Sequence, residues 1–182
     1  MKKVLAMAMV IPALLTLASP VSATHSNVRD DNDVSGRLDI RRVDMLQGLP
    51  REWVLKTHKG FTAKRVFDKG YLLVYFDTFG DERFDYYVLL RPTRAKFKGE
   101  LYKDARNGNN DVLLGQTDLR KPNRRTVTTT VPFRKMRTPD GRLTYRWHAR
   151  TIYTGPKCKR VCIDRAPEDR SVTEPYLQPA KP

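Results

Sequence analysis

Residues 143–153 read LTYRWHARTIY, and this stretch decides the fold class. Tyr145 and Trp147 fall on one side of an extended chain, whereas Arg146 and His148 fall on the other. Because successive side chains of a β-strand point to opposite faces of a sheet, this alternation predicts a strand with one apolar and one polar face. A sheet with one face exposed to water is typical of antiparallel β proteins.

Seven further segments show the same alternation or a similar enrichment in β-branched and aromatic residues. They cover residues 38–45, 53–58, 71–79, 84–90, 96–102, 112–114 and 126–131. Clusters of turn-forming residues separate these segments, and convincing helical periodicity is absent from the sequence. Eight short strands in roughly 120 residues predict an all-β fold, namely a two-layer antiparallel β-sandwich of the jelly-roll kind.

The N-terminus predicts export. Lys2 and Lys3 precede an apolar run over residues 4–17, and small residues lead to a cleavage site at Ala23. We therefore expect residues 1–23 to be a removable signal peptide and the mature protein to be secreted and extracellular. The apolar run is too short for a comfortable membrane span and no second run follows, so we expect no transmembrane segment.

The chain divides into four predicted segments. Residues 1–23 are the signal peptide and residues 24–37 form a loose, acidic opening loop. Residues 38–164 form the β-sandwich domain, and residues 165–182 form an extended, Pro-rich tail. The mature chain is long enough to bury a core of its own. We expect it to be a monomer.

The mature chain is strongly basic. The signal peptide holds two Lys and no acidic residue, so its removal lowers the formal net charge from +15 to +13. A secreted protein of this charge is expected to meet an anionic cell-wall polymer, an acidic glycan or nucleic acid. Net charge also serves solubility alone, and composition leaves both interpretations open.

Candidate binding residues lie on two predicted strands. Arg94, Lys96 and Lys98 follow one hairpin, and Arg146 and Arg150 share one face of the last strand. Such groups neutralise phosphate or carboxylate, and interleaved aromatic rings can stack on sugars or bases. The alternative is that the rings fill the core and the bases form a solvated face. Further basic clusters are Arg120, Lys121, Arg124 and Arg125; Arg134, Lys135 and Arg137; and Lys157, Lys159 and Arg160.

An acidic stretch precedes the first predicted strand. Residues 30–40 read DDNDVSGRLDI, which spaces Asp30, Asp33 and Asp39 along a loop containing Gly36. Carboxylate oxygens spaced in this way can wrap Ca²⁺, which takes about six to eight oxygen ligands. The spacing is not that of an EF-hand. Turn and cap chemistry explains the same residues without a metal, since Asp side chains bond their own backbone in turns.

A second acidic element brackets a predicted hairpin turn and contains Asp77, Asp81 and Asp85. These carboxylates would complete a calcium shell if the two loops met in space. Alternatively they are turn residues that pair with surface bases, each pair contributing about 0–1 kcal/mol. Calcium is the one cofactor that the sequence suggests.

The two cysteines, Cys158 and Cys162, are predicted to form a disulfide in an oxidising compartment. So short a loop removes little chain entropy, on the order of 2 kcal/mol, and would fix one turn rather than hold the domain together.

The acidic stretch carries a resemblance to a known group. It resembles the D-P-x-D-x-x-G-x-L-D-I opening of uncharacterised secreted proteins common in actinobacteria, although Asp31 and Arg37 depart from it. The matching residues are Asp30, Asp33, Gly36, Leu38, Asp39 and Ile40. Residues 76–86 resemble that group's strand–turn–strand element, and residues 158–167 resemble its C-terminal end.

That group looks similar to jelly-roll sandwiches of the family-nine carbohydrate-binding and DOMON types. Some of those proteins bind sugars, some bind haem and some carry a structural calcium. The resemblance therefore implies a β-sandwich and supports the fold more than any activity.

Catalytic chemistry is poorly supplied. Each of the three serines of the mature chain lies in a predicted loop or tail, and no G-x-S-x-G, H-E-x-x-H or P-loop motif occurs. We therefore expect a non-enzymatic protein that binds an anionic extracellular polymer or glycan. The alternatives are a glycan-acting enzyme with paired carboxylates such as Asp77 and Asp85, and a protein–protein interaction module.

Overall fold

The computed structural model describes residues 25–48, 50–105, 110–141, 144–168 and 171–175. The predicted signal peptide and the last part of the predicted tail, residues 176–182, lie outside these ranges.

The described residues are almost entirely β-structure. The strands are β1 (His25–Arg29), β2 (Ile40–Leu46), β3 (Glu52–Thr57), β4 (Gly70–Asp77), β5 (Tyr86–Pro92), β6 (Phe97–Lys103), β7 (Val112–Thr117), β8 (Leu119–Asn123), β9 (Thr126–Thr130), β10 (Thr144–Tyr153), β11 (Cys162–Ala166) and β12 (Val172–Pro175). One helical turn, α1 (Ala63–Val66), lies between β3 and β4, and a 3-10 turn (Phe133–Lys135) follows β9. None of the described helices has the length or the apolar character to cross a bilayer.

The strands form two antiparallel sheets, which confirms the predicted all-β sandwich. The five-stranded sheet has the order β1-β2-β3-β9-β8. The seven-stranded sheet has the order β11-β10-β4-β5-β6-β7, and β12 also pairs with β10. The long strand β10 therefore holds β4 along one side and both β11 and β12 along the other.

The alternation seen in the sequence sets which face of each strand is buried. Trp53 and Leu55 of β3 are buried, and the residues between and beside them are half-exposed. Tyr145 and Trp147 of β10 are buried in the same way, and Arg146 between them is half-exposed. Each sheet thus turns its apolar face towards the other, as the amphipathic pattern requires.

Aromatic rings from both sheets meet at Trp53. The ring of this fully buried residue lies edge-to-face against Phe76 at 5.1 Å and against Trp147 at 6.2 Å. Phe133 of the 3-10 turn stacks on it at 5.7 Å. Because Trp53 belongs to the five-stranded sheet and Phe76 and Trp147 to the seven-stranded one, these contacts join the two layers.

The domain reaches beyond its predicted boundaries at both ends. The prediction of a loose segment over residues 24–37 is wrong for its first part, because β1 pairs in register with β2. The predicted tail is also wrong in part, because β12 pairs with β10 and β11 runs to Ala166. These strands are short, polar and located at sheet edges. Their formation therefore depends more on pairing with a neighbouring strand than on a local alternation of apolar and polar residues.

Replacing Trp53 with alanine should destabilise the domain by about 3–5 kcal/mol, because it removes the ring on which both layers pack and leaves a cavity. Chemical denaturation of the variant measures this loss. Tyr71→Ala is the matched control, since Tyr71 is an aromatic residue of β4 that is 40% exposed. Equal destabilisation by the two substitutions would contradict a core centred on Trp53.

Candidate functional site

Nine basic side chains line three adjoining depressions around the β8–β9 hairpin. We call this surface the basic groove. Its basic residues are Arg37, Arg41, Arg42, Lys56, Arg65, Lys96, Lys121, Arg124 and Arg125. No acidic residue appears among the described residues that line it.

The three depressions share walls and are therefore continuous. The largest, of about 500 Å³, shares Phe61, Thr62 and Arg124 with a second of about 230 Å³. It shares Asn123 with a third of about 330 Å³. The result is an elongated open surface rather than one enclosed cavity.

Backbone hydrogen bonds fix the groove around the β8–β9 turn. Arg125 N–H donates to the Asn123 side chain at 2.8 Å, which closes the turn. The carbonyl of Arg125 accepts from Thr57 N–H at 2.9 Å, and that of Arg124 accepts from Phe61 N–H at 2.8 Å. These bonds hold the segment after β3 against the turn, so the arginine side chains are presented by fixed backbone.

Charge compensation within the groove is slight. Arg42 and Lys56 lie opposite each other on β2 and β3, and both pair with Asp44, at 2.5 and 3.1 Å. Arg124 and Arg125 make no ion pair with any acidic side chain in the described ranges. The groove therefore carries excess positive charge.

Lys121 is a half-buried lysine that lines the largest depression. Its ammonium group lies 3.7 Å from the centroid of the Phe61 ring and donates to the Asn123 carbonyl at 2.7 Å. Burial lowers the pKa of Lys121 to about 8. An anionic ligand beside Lys121 would stabilise the charged ammonium form, so binding of an anion would offset the cost of burying this side chain.

The predicted binding residues of the β5–β6 hairpin fall into two groups. Lys96 is exposed and lines the basic groove. Arg94 and Lys98 are exposed on the same hairpin but are not among the residues that line it.

The predicted binding residues of β10 are engaged by the fold. Arg146 donates to the buried Asp77 carboxylate at 2.5 and 2.9 Å. Arg150 interacts with the Tyr75 hydroxyl on the outer face of the seven-stranded sheet. Both residues are half-buried, and neither lines the basic groove.

A row of rings crosses that outer face. His148, Tyr75, Tyr87 and Tyr102 are cross-strand neighbours on β10, β4, β5 and β6, with ring centroids 4.9, 5.7 and 5.2 Å apart. Phe84 packs edge-on against His148 at 4.3 Å. The rings cover one another, which makes this row a small second core on the outside of the sheet.

His148 should make the protein sensitive to acid. Burial, with the positive charges of Arg165 and Arg150, lowers its pKa from 6.5 to about 3 in the folded protein. In the unfolded chain His148 is protonated below about pH 6.5, whereas in the folded chain it stays neutral down to about pH 3. The free energy of unfolding therefore decreases as the pH falls through this window.

Between pH 7.5 and 5 the wild type should lose about 2 kcal/mol more than a His148→Gln variant, which has no proton to bind there. Denaturant unfolding at both pH values measures the difference. Identical pH dependence of the two proteins would contradict a buried neutral imidazole.

The protein also contains a cluster of carboxylates, which lies outside the basic groove. Asp30, Asp33 and Asp164 each place a carboxylate oxygen within 4.8 Å of the others. The first two belong to the predicted acidic loop, whereas Asp164 lies on β11 of the other sheet. Asp164 also accepts hydrogen bonds from Ile40 N–H at 2.5 Å and Arg165 N–H at 2.7 Å.

Asp39 is buried beside this cluster. Its pKa is raised by burial and by repulsion from Asp164 and Asp33, and lowered by His58 and Lys59, with a net rise. Burial and the nearby Asp164 raise the pKa of Asp30 to about 8. The fold therefore crowds carboxyl groups where they are poorly solvated, which favours their protonated forms unless a cation lies between them.

The other predicted calcium residues are engaged at their own turn, as turn chemistry predicts. Asp77 binds Arg146 and the Gly80 N–H, and Asp85 accepts from Thr78 N–H at 2.7 Å and from Phe79 N–H at 3.1 Å. Asp81 accepts from Arg83 N–H at 3.2 Å and is exposed. None of the three belongs to the carboxylate cluster, so the prediction that they complete its shell is wrong.

The predicted disulfide forms between Cys158 and Cys162, whose Cα atoms are 5.5 Å apart. It lies against the acidic loop, because the Cys158 sulfur contacts the Ser35 carbonyl at 3.1 Å. Gly36 has a φ of +129°, and a Cβ there would come within 2.9 Å of the Tyr153 ring. The loop thus packs closely on β10 and the disulfide turn.

Two features escaped sequence reasoning. Asp164 lies 124 residues after Ile40, and no spacing in the sequence connects it with the acidic loop. Lys121 and Arg124 were visible as a basic cluster, but only the fold brings them together with Arg37 and Arg65.

Comparison with protein-family models, with curated proteins and with solved structures found no match to this chain.

Proposed function

We propose that this protein binds an anionic extracellular polymer through the basic groove. The observation that carries the proposal is a continuous surface of nine basic side chains with no acidic residue among its described lining. The signal peptide expected over residues 1–23 would deliver the protein to the compartment where cell-wall polymers and acidic glycans occur.

The shape of the groove favours a polymer over a small anion. A single phosphate or carboxylate is satisfied by one or two cations. Here the basic groups extend over three linked depressions, from Arg41 and Arg125 through Arg124 to Arg37 and Arg65. Repeated negative charges along one chain would match this repetition, and steering by excess charge would assist capture.

The lining favours an acidic glycan or cell-wall polymer over single-stranded nucleic acid. Sequence-tolerant binding of single strands relies on exposed aromatic rings that stack on bases. The two aromatic residues that line the groove, Phe61 and Phe97, are 0% and 7% exposed. The groove therefore offers charge and hydrogen-bond donors but no open stacking platform.

Reversing two charges at the centre of the groove, Arg124→Glu with Arg125→Glu, should lower the salt concentration that elutes the mature protein from a heparin column by more than half. Both side chains are exposed and no acidic partner is left behind, so folding should survive. Elution on a salt gradient measures the change, with circular dichroism to check the fold.

The matched control is Lys159→Glu with Arg160→Glu. It makes the same change in net charge at two exposed residues of the disulfide loop, outside the groove. If the control eluted as early as the groove variant, retention would reflect net charge alone and the proposal would fail. Absence of salt-sensitive retention of the wild type on heparin, polygalacturonate and DNA would also refute it.

A further inference from the structure

We propose that Asp30, Asp33, Asp39 and Asp164 form a calcium site that clamps the β1–β2 connection to β11. The site lies outside the basic groove and serves a separate purpose from polymer binding. It joins the two sheets, because the first three residues lead into β2 of the five-stranded sheet and Asp164 belongs to β11 of the seven-stranded sheet.

The geometry of the cluster suits a calcium ion. Oxygen ligands lie about 2.3–2.6 Å from Ca²⁺, so two ligands on opposite sides of the ion are roughly 4.6–5.2 Å apart. The oxygens of Asp30, Asp33 and Asp164 lie within 4.8 Å of one another, so all three can reach one ion with little movement.

An independent observation comes from Asp39. This residue is 1% exposed, yet neither of its carboxylate oxygens has a hydrogen-bond partner in the described structure. Asp39 lies next to the cluster, because the N–H of the following residue, Ile40, donates to the Asp164 carboxylate. Asp164 and Asp33 also repel its negative charge. A buried carboxylate without a hydrogen bond is costly, and in proteins such groups are paired or bind a metal.

Asp30 adds a third carboxylate oxygen without a hydrogen-bond partner. Its Oδ2 atom is buried and also lacks a hydrogen-bond donor. Lys59 compensates part of this charge, since its ammonium group lies 3.9 Å from Asp39, and the lysine side chain is 40% exposed. One half-exposed lysine, with His58 nearby, leaves the three clustered carboxylates and Asp39 short of positive charge.

The ligand chemistry selects calcium. All four groups are hard oxygen donors, which favour Ca²⁺ or Mg²⁺ over zinc or copper. The only two cysteines are consumed by the disulfide. Mg²⁺ demands a near-ideal octahedron at about 2.0–2.1 Å, whereas loop carboxylates that approach from two sheets suit the more adaptable calcium shell.

The matched test compares Asp33→Asn with Asp31→Asn. Both residues are exposed and lie two positions apart in the same loop, but only Asp33 belongs to the cluster. Because both are exposed, both variants should fold.

Isothermal titration of the mature protein with CaCl₂ should show one site, weakened at least about tenfold by Asp33→Asn and unchanged by Asp31→Asn. The melting temperature of the wild type should rise by about 5–10 °C at saturating calcium, and EDTA should reverse the rise. The Asp33→Asn variant should lose most of this rise.

Three results would overturn the proposal. The first is no heat and no thermal shift with calcium, which would mean that protons alone neutralise the cluster. The second is an equal thermal shift with NaCl of the same ionic strength, which would indicate screening. The third is loss of the calcium response in Asp31→Asn to the same extent as in Asp33→Asn. A weaker response to MgCl₂ than to CaCl₂ would support the assignment.

Discussion

The contact of Trp53 with Phe76 and Trp147 is the constraint on which the rest of the structure depends. These rings are fully buried and come from both sheets, so they fix the distance and the facing surfaces of the two layers. Once these surfaces are set, the period-two pattern turns every other side chain outwards. Most of the basic and acidic groups are thereby left on the outer faces, edges and connections of the sandwich, where both candidate sites lie.

The two sites separate opposite charges in one basic protein. The β8–β9 turn, held by Arg124 and Arg125 carbonyls, gathers cations with little compensation. The acidic loop and β11 gather carboxylates that the fold leaves partly unsatisfied. The first arrangement suits a mobile polyanion and the second a small cation. Neither needs the nucleophile or general base that an enzyme would require.

The central strands were predictable from sequence and the edge strands were not. In β3 buried and half-exposed side chains alternate strictly, and β10 follows the same pattern except at His148, which is buried on the outer face. The four strands without a sequence signal, β1, β8, β11 and β12, are short and lie at sheet edges. Each of them pairs with only one neighbouring strand and carries exposed side chains, so polar residues and even Pro122 are tolerated there.

The residues of the candidate sites likewise fall into those that could be predicted from sequence and those that could not. Asp30, Asp33 and Asp39 could be proposed from their spacing, because loop ligands are close in sequence. Asp164 could not, since its position depends on β11 pairing with β10. Arg146 looked available from its alternation, but the buried Asp77 on the neighbouring strand binds it. Sequence therefore indicated the kinds of groups present, and tertiary pairing decided which of them remain free for a ligand.

The most direct test is to map the surface at which a polyanion contacts the protein. The measurement is a titration of the ¹⁵N-labelled mature protein with a heparin-derived hexasaccharide, followed by amide chemical shifts. If the polyanion binds in the basic groove, the shift changes should concentrate at residues 121–125 and 61–65. Changes confined to the outer face of the seven-stranded sheet, at residues 146–150, or no changes at the groove would contradict it.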